Sequence, residues 1–134
     1  MERGIELALE AKAKRALKLP VSIAAHSELM RVVADEFRAA INQTLLNLPE
    51  VPIVANITVE PLDSLEAIRA EMEGQLTASV RWTDSVLWMV NHGVTKFIEI
   101  GPKDVLTGLI KRIAKDVETQ AIGKPDDLAA FLAL

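Results

Sequence analysis

The residues best placed to do chemistry lie in the run Lys18-Leu19-Pro20-Val21-Ser22-Ile23-Ala24-Ala25-His26-Ser27, where a β-like segment ends on a histidine and a helical pattern begins at once. Ligands of α/β sheets bind at the carboxyl ends of the strands, and an imidazole titrating near neutrality can accept and return a proton there. No Gly-x-Ser-x-Gly nucleophile elbow occurs anywhere in the 134 residues, so such a base would be half of an active site. Taken on its own, a lone histidine at a helix start is more often a helix-start or surface residue than a base. Ser27 does not make a dyad with His26, because adjacent side chains diverge; it reads as a helix cap.

Other chemistry-bearing residues have simpler readings. The Gly101-Pro102-Lys103-Asp104 turn could offer helix amides to a phosphate or carboxylate, but it lacks the several glycines of a nucleotide loop and reads first as a sharp turn with a cap. Trp82, Trp88 and Met89 fit a core or an interface. His92, just ahead of Gly93, fits a cation near a helix carboxyl terminus. The two histidines have no His-x-x-x-His spacing and there is no cysteine, which argues against a metal site, disulfides and thiol catalysis.

The elements that must position these groups follow from periodicity. Ile5, Ala8, Leu9 and Ala13 share a face, which predicts a helix from Glu2 to Ala13. Alternation through Leu17, Leu19, Val21 and Ile23 predicts a strand over Ala16 to Ile23, with Pro20 at an edge or bulge. Ser27 is expected to cap a helix carrying Met30, Val33, Phe37, Ala40, Ile41, Thr44 and Leu45 on its apolar side. Ile53 to Val59, β-branched and preceded by Pro52, predicts a second strand. Asp63 and Glu66 resemble a capping box for a helix reaching about Gln75, and a further helix covers Thr83 to Asn91. Thr95 to Ile100 reads as a buried strand, Asp104 as the cap of a helix to Ala114, and Glu118 to Ile122 as a last strand. A helix starting at Lys124-Pro125-Asp126 carries the apolar tail Leu128 to Leu134.

Strands alternating with helices imply an α/β architecture with a mainly parallel sheet. Such sheets need both faces covered and usually hold more than four strands, so three or four strands suggest part of a larger sheet. The composition is that of one ordinary globular unit: half the residues are apolar and 25% are charged. No apolar run approaches a membrane span, and no basic and apolar leader follows Met1, so a cytoplasmic protein is expected. A formal charge of −4 without a basic stripe argues against nucleic acid as a partner.

Four blocks then acquire a specific meaning. Leu19-Pro20-Val21-Ser22-Ile23-Ala24-Ala25-His26-Ser27-Glu28-Leu29-Met30, Pro52-Ile53-Val54-Ala55-Asn56-Ile57-Thr58, Gln75-Leu76-Thr77-Ala78-Ser79-Val80-Arg81-Trp82 and Glu99-Ile100-Gly101-Pro102-Lys103-Asp104-Val105-Leu106-Thr107-Gly108-Leu109 together resemble the malonyl-CoA:acyl carrier protein transacylases. The resemblance covers nearly the whole chain and corresponds to roughly the carboxyl-terminal two fifths of the family's catalytic unit. It implies the later part of an α/β-hydrolase-like acyltransferase core with a remnant of the inserted ferredoxin-like subdomain. Residues 1–134 would form a single partial unit, with about 1–60 spanning the remnant and the histidine segment and about 61–134 the carboxyl-terminal α/β part.

By the same resemblance His26 is the family's general base, and the backbone carbonyl of Gln75 orients it. The serine nucleophile and the arginine that pairs with the malonyl carboxylate belong to an amino-terminal half that these residues do not include, so the chain alone is expected to be inactive. The implied substrates are malonyl-CoA and phosphopantetheinylated acyl carrier protein, with no separate cofactor. Lys111 and Arg112 are candidates for docking the acidic carrier, and otherwise read as a solvated helix face. Ser79 and Lys103 stand where proline and glycine are usual in the family. Ile23-Ala24-Ala25-His26 matches neither the His-Ala-Phe-His nor the Tyr-Ala-Ser-His selectivity motif of related polyketide acyltransferases, so the resemblance alone gives malonyl as the expected acyl group. A noncatalytic carrier-binding or assembly module and a polyketide synthase acyltransferase fragment are the alternatives.

Overall fold

The computed structural model describes residues 2–18 and 20–133; Met1, Leu19 (expected in the first strand) and Leu134 (expected in the apolar tail) lie outside them. The elements in order are α1 (Glu2–Glu10), a 3-10 helix (Glu28–Val33), α2 (Ala34–Gln43), α3 (Leu65–Gly74), α4 (Trp82–Asn91), β1 (Lys96–Ile100), α5 (Val105–Ile113), β2 (Glu118–Ile122) and α6 (Pro125–Leu132).

The carboxyl-terminal half follows its periodicity closely. β1 and β2 pair in parallel, in register from Lys96 opposite Glu118 to Ile100 opposite Ile122, with α5 as the crossover. This is a βαβ unit. α5 packs on both strands and on α4, burying Thr107 and Ile110, and α6 packs on β2. The opposite face of β1 is open: Ile98 is 39% exposed and Ile100, at the strand's carboxyl end, 83%. Ile122, the partner of Ile100 on β2, is buried, so only the β1 side of that face lacks cover, and a two-stranded parallel sheet with one strand uncovered is not a finished layer.

The amino-terminal half departs from expectation in three places. Residues 16–23, expected as a strand, form no strand among those described; Pro20 cannot donate to a ladder, and no neighbouring strand offers one. The helix expected from Ser27 begins as a 3-10 helix and becomes α-helical only at Ala34. Ile53 to Val59 is not a strand but one arm of a hairpin-like loop, with a single antiparallel bridge between Val54 and Pro61. Bonds from Ala55 N–H to Glu60 O (2.9 Å) and from Leu62 N–H to Ile53 O (2.8 Å) close the loop. Its tip is diverted because the amides of Asn56 and Ile57 donate to a side chain, Glu71, rather than to a ladder.

Helix ends also differ in detail. α1 stops at Glu10 rather than Ala13, where Lys12 takes the left-handed conformation (φ 63°) and Ala13 N–H and Lys12 N–H return to Ala8 O and Leu9 O. That pattern is a Schellman closure without glycine. α3 is capped by Ser64, whose Oγ accepts Ala67 N–H, not by Asp63. Arg69 of α3 reaches α2 and donates to the carbonyls of Ile41 (2.6 Å) and Thr44 (3.3 Å), satisfying the end of that helix. An Arg38–Glu73 ion pair at 3.0 Å adds to the α2–α3 contact.

The core is small. Ile41, Ala55, Val59, Val86, Ile110 and Ile122 are the buried apolar residues among those described, and the surface measures 10417 Å² for a 14.7 kDa chain. A compact monomer of that mass exposes about 6,900 Å², so this fold presents about one and a half times the expected area. Much of the excess is apolar, including Leu29, Val32, Leu45 and Ile100.

Candidate active site

His26 sits in the turn that follows the irregular residues 20–24, with its backbone in the left-handed region at φ 62° and its side chain exposed. Histidine visits this region more readily than most residues, but the conformation is still sparsely populated and needs surroundings that hold it. The next residue does so. Ser27 Oγ donates to Ala24 O at 2.7 Å, and Ser27 N–H donates to Leu76 O at 3.2 Å. Ser27 occupies the cap position of the 3-10 helix, yet its hydroxyl makes no cap bond and closes the histidine turn instead.

The Ser27–Leu76 bond brings the two residues singled out for the site, His26 and Gln75, onto adjoining segments. Gln75 follows α3 as its C-cap, its N–H bonded to Glu71 O. Among the described residues its carbonyl accepts no hydrogen bond and the His26 ring makes none. The Gln75 side chain is engaged elsewhere: Nε2 donates to Glu71 Oε1 at 2.6 Å.

Glu71 is the residue that sequence reasoning missed. It is 7% exposed, and its Oε1 also accepts Asn56 N–H at 2.7 Å and Ile57 N–H at 3.2 Å. Two successive amides pointing at one oxygen make a small anion nest occupied by the chain's own carboxylate. Its other oxygen, Oε2, is buried without a partner. The available signal was the Glu71 to Gln75 spacing, four residues along a helix, which lets side chains meet. Asn56 links onward, its carbonyl accepting Arg81 N–H at 2.8 Å at the start of α4. Gly74 lies close to the loop tip: a Cβ there would stand 2.6 Å from Ile57 Cδ1, and the Ile57 side chain would have to move to admit it.

The remaining candidates lie apart from this cluster. Lys111 and Arg112 are exposed in the last turn of α5, and neither forms an ion pair among the described residues. His92 is the C-cap of α4; its ring stacks on Trp88 with centroids 3.8 Å apart, and Nδ1 lies 2.8 Å from Trp88 O. A carbonyl only accepts, so Nδ1 carries the proton. Gly101 (φ 142°) and Lys103 (φ 79°) turn the chain after β1. The turn presents α5 not to an external anion but to Glu99, whose carboxylate accepts Leu106 and Thr107 N–H at 3.0 and 2.7 Å. Asp104, expected as the cap, makes no cap bond because Glu99 supplies it.

No family profile matches the chain. Solved structures do. An acyl carrier protein S-malonyltransferase from Vibrio cholerae O1 biovar eltor superposes with a TM-score of 0.88 at 42% identity, over 97% of this chain and 42% of that one. A malonyl-transacylase in complex with its type II PKS acyl-carrier protein gives a TM-score of 0.92 at 38% identity, over 98% of this chain and 43% of that one. The fold is that of the α/β acyltransferases. In sequence the chain is 40% identical over all 134 residues to the malonyl CoA-acyl carrier protein transacylase of Escherichia coli K12. It is homologous throughout to the malonyl CoA-acyl carrier protein transacylases, and it spans about 43% of the length of that curated relative.

Proposed function

We propose that this chain supplies the general base of a malonyl-CoA:acyl carrier protein transacylase, with His26 as that base. The observation that carries the reading is the end-to-end similarity to curated transacylases, with His26 and Gln75 inside the matched stretch and joined through the Ser27–Leu76 bond. The nucleophilic serine and the arginine for the malonyl carboxylate are assigned to the part of the enzyme that these residues do not span.

In the first half-reaction His26 removes the serine proton as its oxygen attacks the malonyl thioester, then returns that proton to the departing coenzyme A sulfur. In the second, His26 takes the proton of the carrier's phosphopantetheine thiol, the thiol collects the malonyl group, and the serine recovers its proton. Each half-reaction breaks one acyl bond and forms one, and no cofactor enters. The Gln75 carbonyl, without another hydrogen bond among the described residues, is assigned to one ring N–H, leaving the other nitrogen for the serine. The left-handed turn at His26 keeps the ring at the surface, where a second portion of the enzyme can meet it. The uncovered faces of β1 and the 3-10 helix supply apolar area for that meeting, and the cytoplasm is the expected location.

The test joins this chain to the part of the Escherichia coli relative that it does not span and follows malonyl transfer from coenzyme A to holo carrier protein. The 134 residues alone are expected to transfer nothing, and the joined protein to be active. His26→Ala should lower kcat/KM by about 10² to 10⁴ with binding of malonyl-CoA retained. Activity unaffected by His26→Ala would dismiss the assignment.

A further inference from the structure

We propose that Glu71 is a positioning residue for the histidine turn, acting through the Gln75–Leu76 backbone. The inference rests on His26 being the base, since it names what holds that base in place. A carboxylate buried to 7% exposure is expensive unless its charge is met by donors, and here three converge on Oε1: Asn56 N–H, Ile57 N–H and Gln75 Nε2. They come from two separate segments, the tip of the 53–62 loop and the end of α3, so Glu71 ties the two together. The residue after Gln75 then accepts Ser27 N–H, which fixes the turn bearing His26.

The tie stands where few other interactions could replace it. Residues 20–24 belong to no strand, His26 itself makes no hydrogen bond among the described residues, and the 3-10 helix buries no residue. Ser27 N–H to Leu76 O is thus the backbone bond that connects the histidine turn to the body of the fold among the described residues. Without Glu71, the amides of Asn56 and Ile57 and the Gln75 side chain lose their shared acceptor, and the end of α3 is free to shift. A displacement of the order of 1 Å at a catalytic group costs about a hundredfold in rate.

Amide hydrogen exchange on the 134-residue chain tests the coupling directly. Glu71→Ala is expected to speed exchange at Asn56 and Ile57 and, with them, at Ser27 by tenfold or more, while Glu71→Gln, which keeps an acceptor oxygen, stays within a few fold of the unsubstituted chain. Acceleration confined to Asn56 and Ile57, or a Ser27 amide unprotected from the start, overturns the proposal. If Glu71→Ala does not fold, Gln75→Leu removes one donor only and carries the same expectation for Ser27 at smaller amplitude.

Turnover in the joined transferase distinguishes this inference from the reading beneath it. Glu71→Ala should lower kcat by about tenfold or more with KM for malonyl-CoA unchanged, Glu71→Gln should restore most of it, and neither should matter once His26 is alanine. A Glu71→Ala loss that persists undiminished in the His26→Ala background removes the positioning role and leaves His26 as base. A His26→Ala enzyme of full activity removes both.

Discussion

Glu99, on β1, accepts the backbone N–H of Thr107 at 2.7 Å, so a strand caps the helix that follows it. A carboxylate at a helix amino terminus meets both unsatisfied amides and the positive end of the helix dipole. The Thr107 amide holds the Glu99 carboxyl below its ordinary value of 4.5; desolvation, next in size, opposes it, and the Leu106 amide and the Thr107 hydroxyl add smaller lowering effects. Because the folded value is depressed, the stabilisation is complete above 4.5 and is lost as pH falls through the folded value. Glu99→Gln, which keeps an acceptor without the charge, should therefore be less stable than the parent at pH 7 and converge with it at low pH. Thermal unfolding of both proteins across that range checks this; a gap of equal size at pH 7 and pH 3 would sink it. Glu28, lowered by its bond to Arg31, titrates in the same window in both proteins and cancels from the difference.

How much of this was legible in the sequence depends on where each backbone hydrogen bond ends. β1, α5, β2 and α6 were readable because their partners are close in the chain: β2 is found over Glu118–Ile122, where a last strand is expected. The strands expected at 16–23 and 53–59 share the right residue types, but a strand exists only when a neighbour pairs with it. Among the described residues, 16–18 and 20–23 meet no such neighbour, and at Asn56 and Ile57 a distant carboxylate takes the amides instead. Capping failed for the same reason. Asp104 has the correct type and place, and Glu99, five residues earlier in sequence, outcompetes it. His26 was visible as a residue type at an element boundary; its left-handed backbone and its link to Leu76 were not, because neither leaves a local pattern.

Lys103 carries a testable strain. Its φ of 79° is a conformation that costs a residue with a Cβ about 1 to 2 kcal/mol, and the turn is crowded because Gly123 lies against it: a Cβ added at Gly123 would stand only 3.1 Å from Gly101 O. Lys103→Gly removes the strain but gives back about 0.5 to 1 kcal/mol of backbone entropy, so a net gain of up to about 1.5 kcal/mol is expected. Lys103→Ala keeps the Cβ and should show no gain. Chemical denaturation of the three proteins decides the matter: equal midpoints for the glycine and alanine variants would mean that the charge, not the backbone, sets stability at this turn.

Lys111 and Arg112 offer the last prediction, at the surface where the carrier protein is expected to approach. They lie side by side in the final turn of α5, exposed and unpaired among the described residues, on a chain whose formal charge is −4. A positive pair without an ion-pair partner among the described residues is placed to steer an acidic partner and adds little to the fold, since exposed charges stabilise weakly. Reversal of both to Glu in the joined transferase should raise KM for carrier protein about tenfold and make it less sensitive to salt, with kcat and KM for malonyl-CoA unchanged. The contrast between the two substrates is what makes the test specific. A general loss of stability would raise neither KM selectively, and repulsion of coenzyme A, itself polyanionic, would raise both; a carrier KM that stays constant after the reversal would place the docking surface elsewhere.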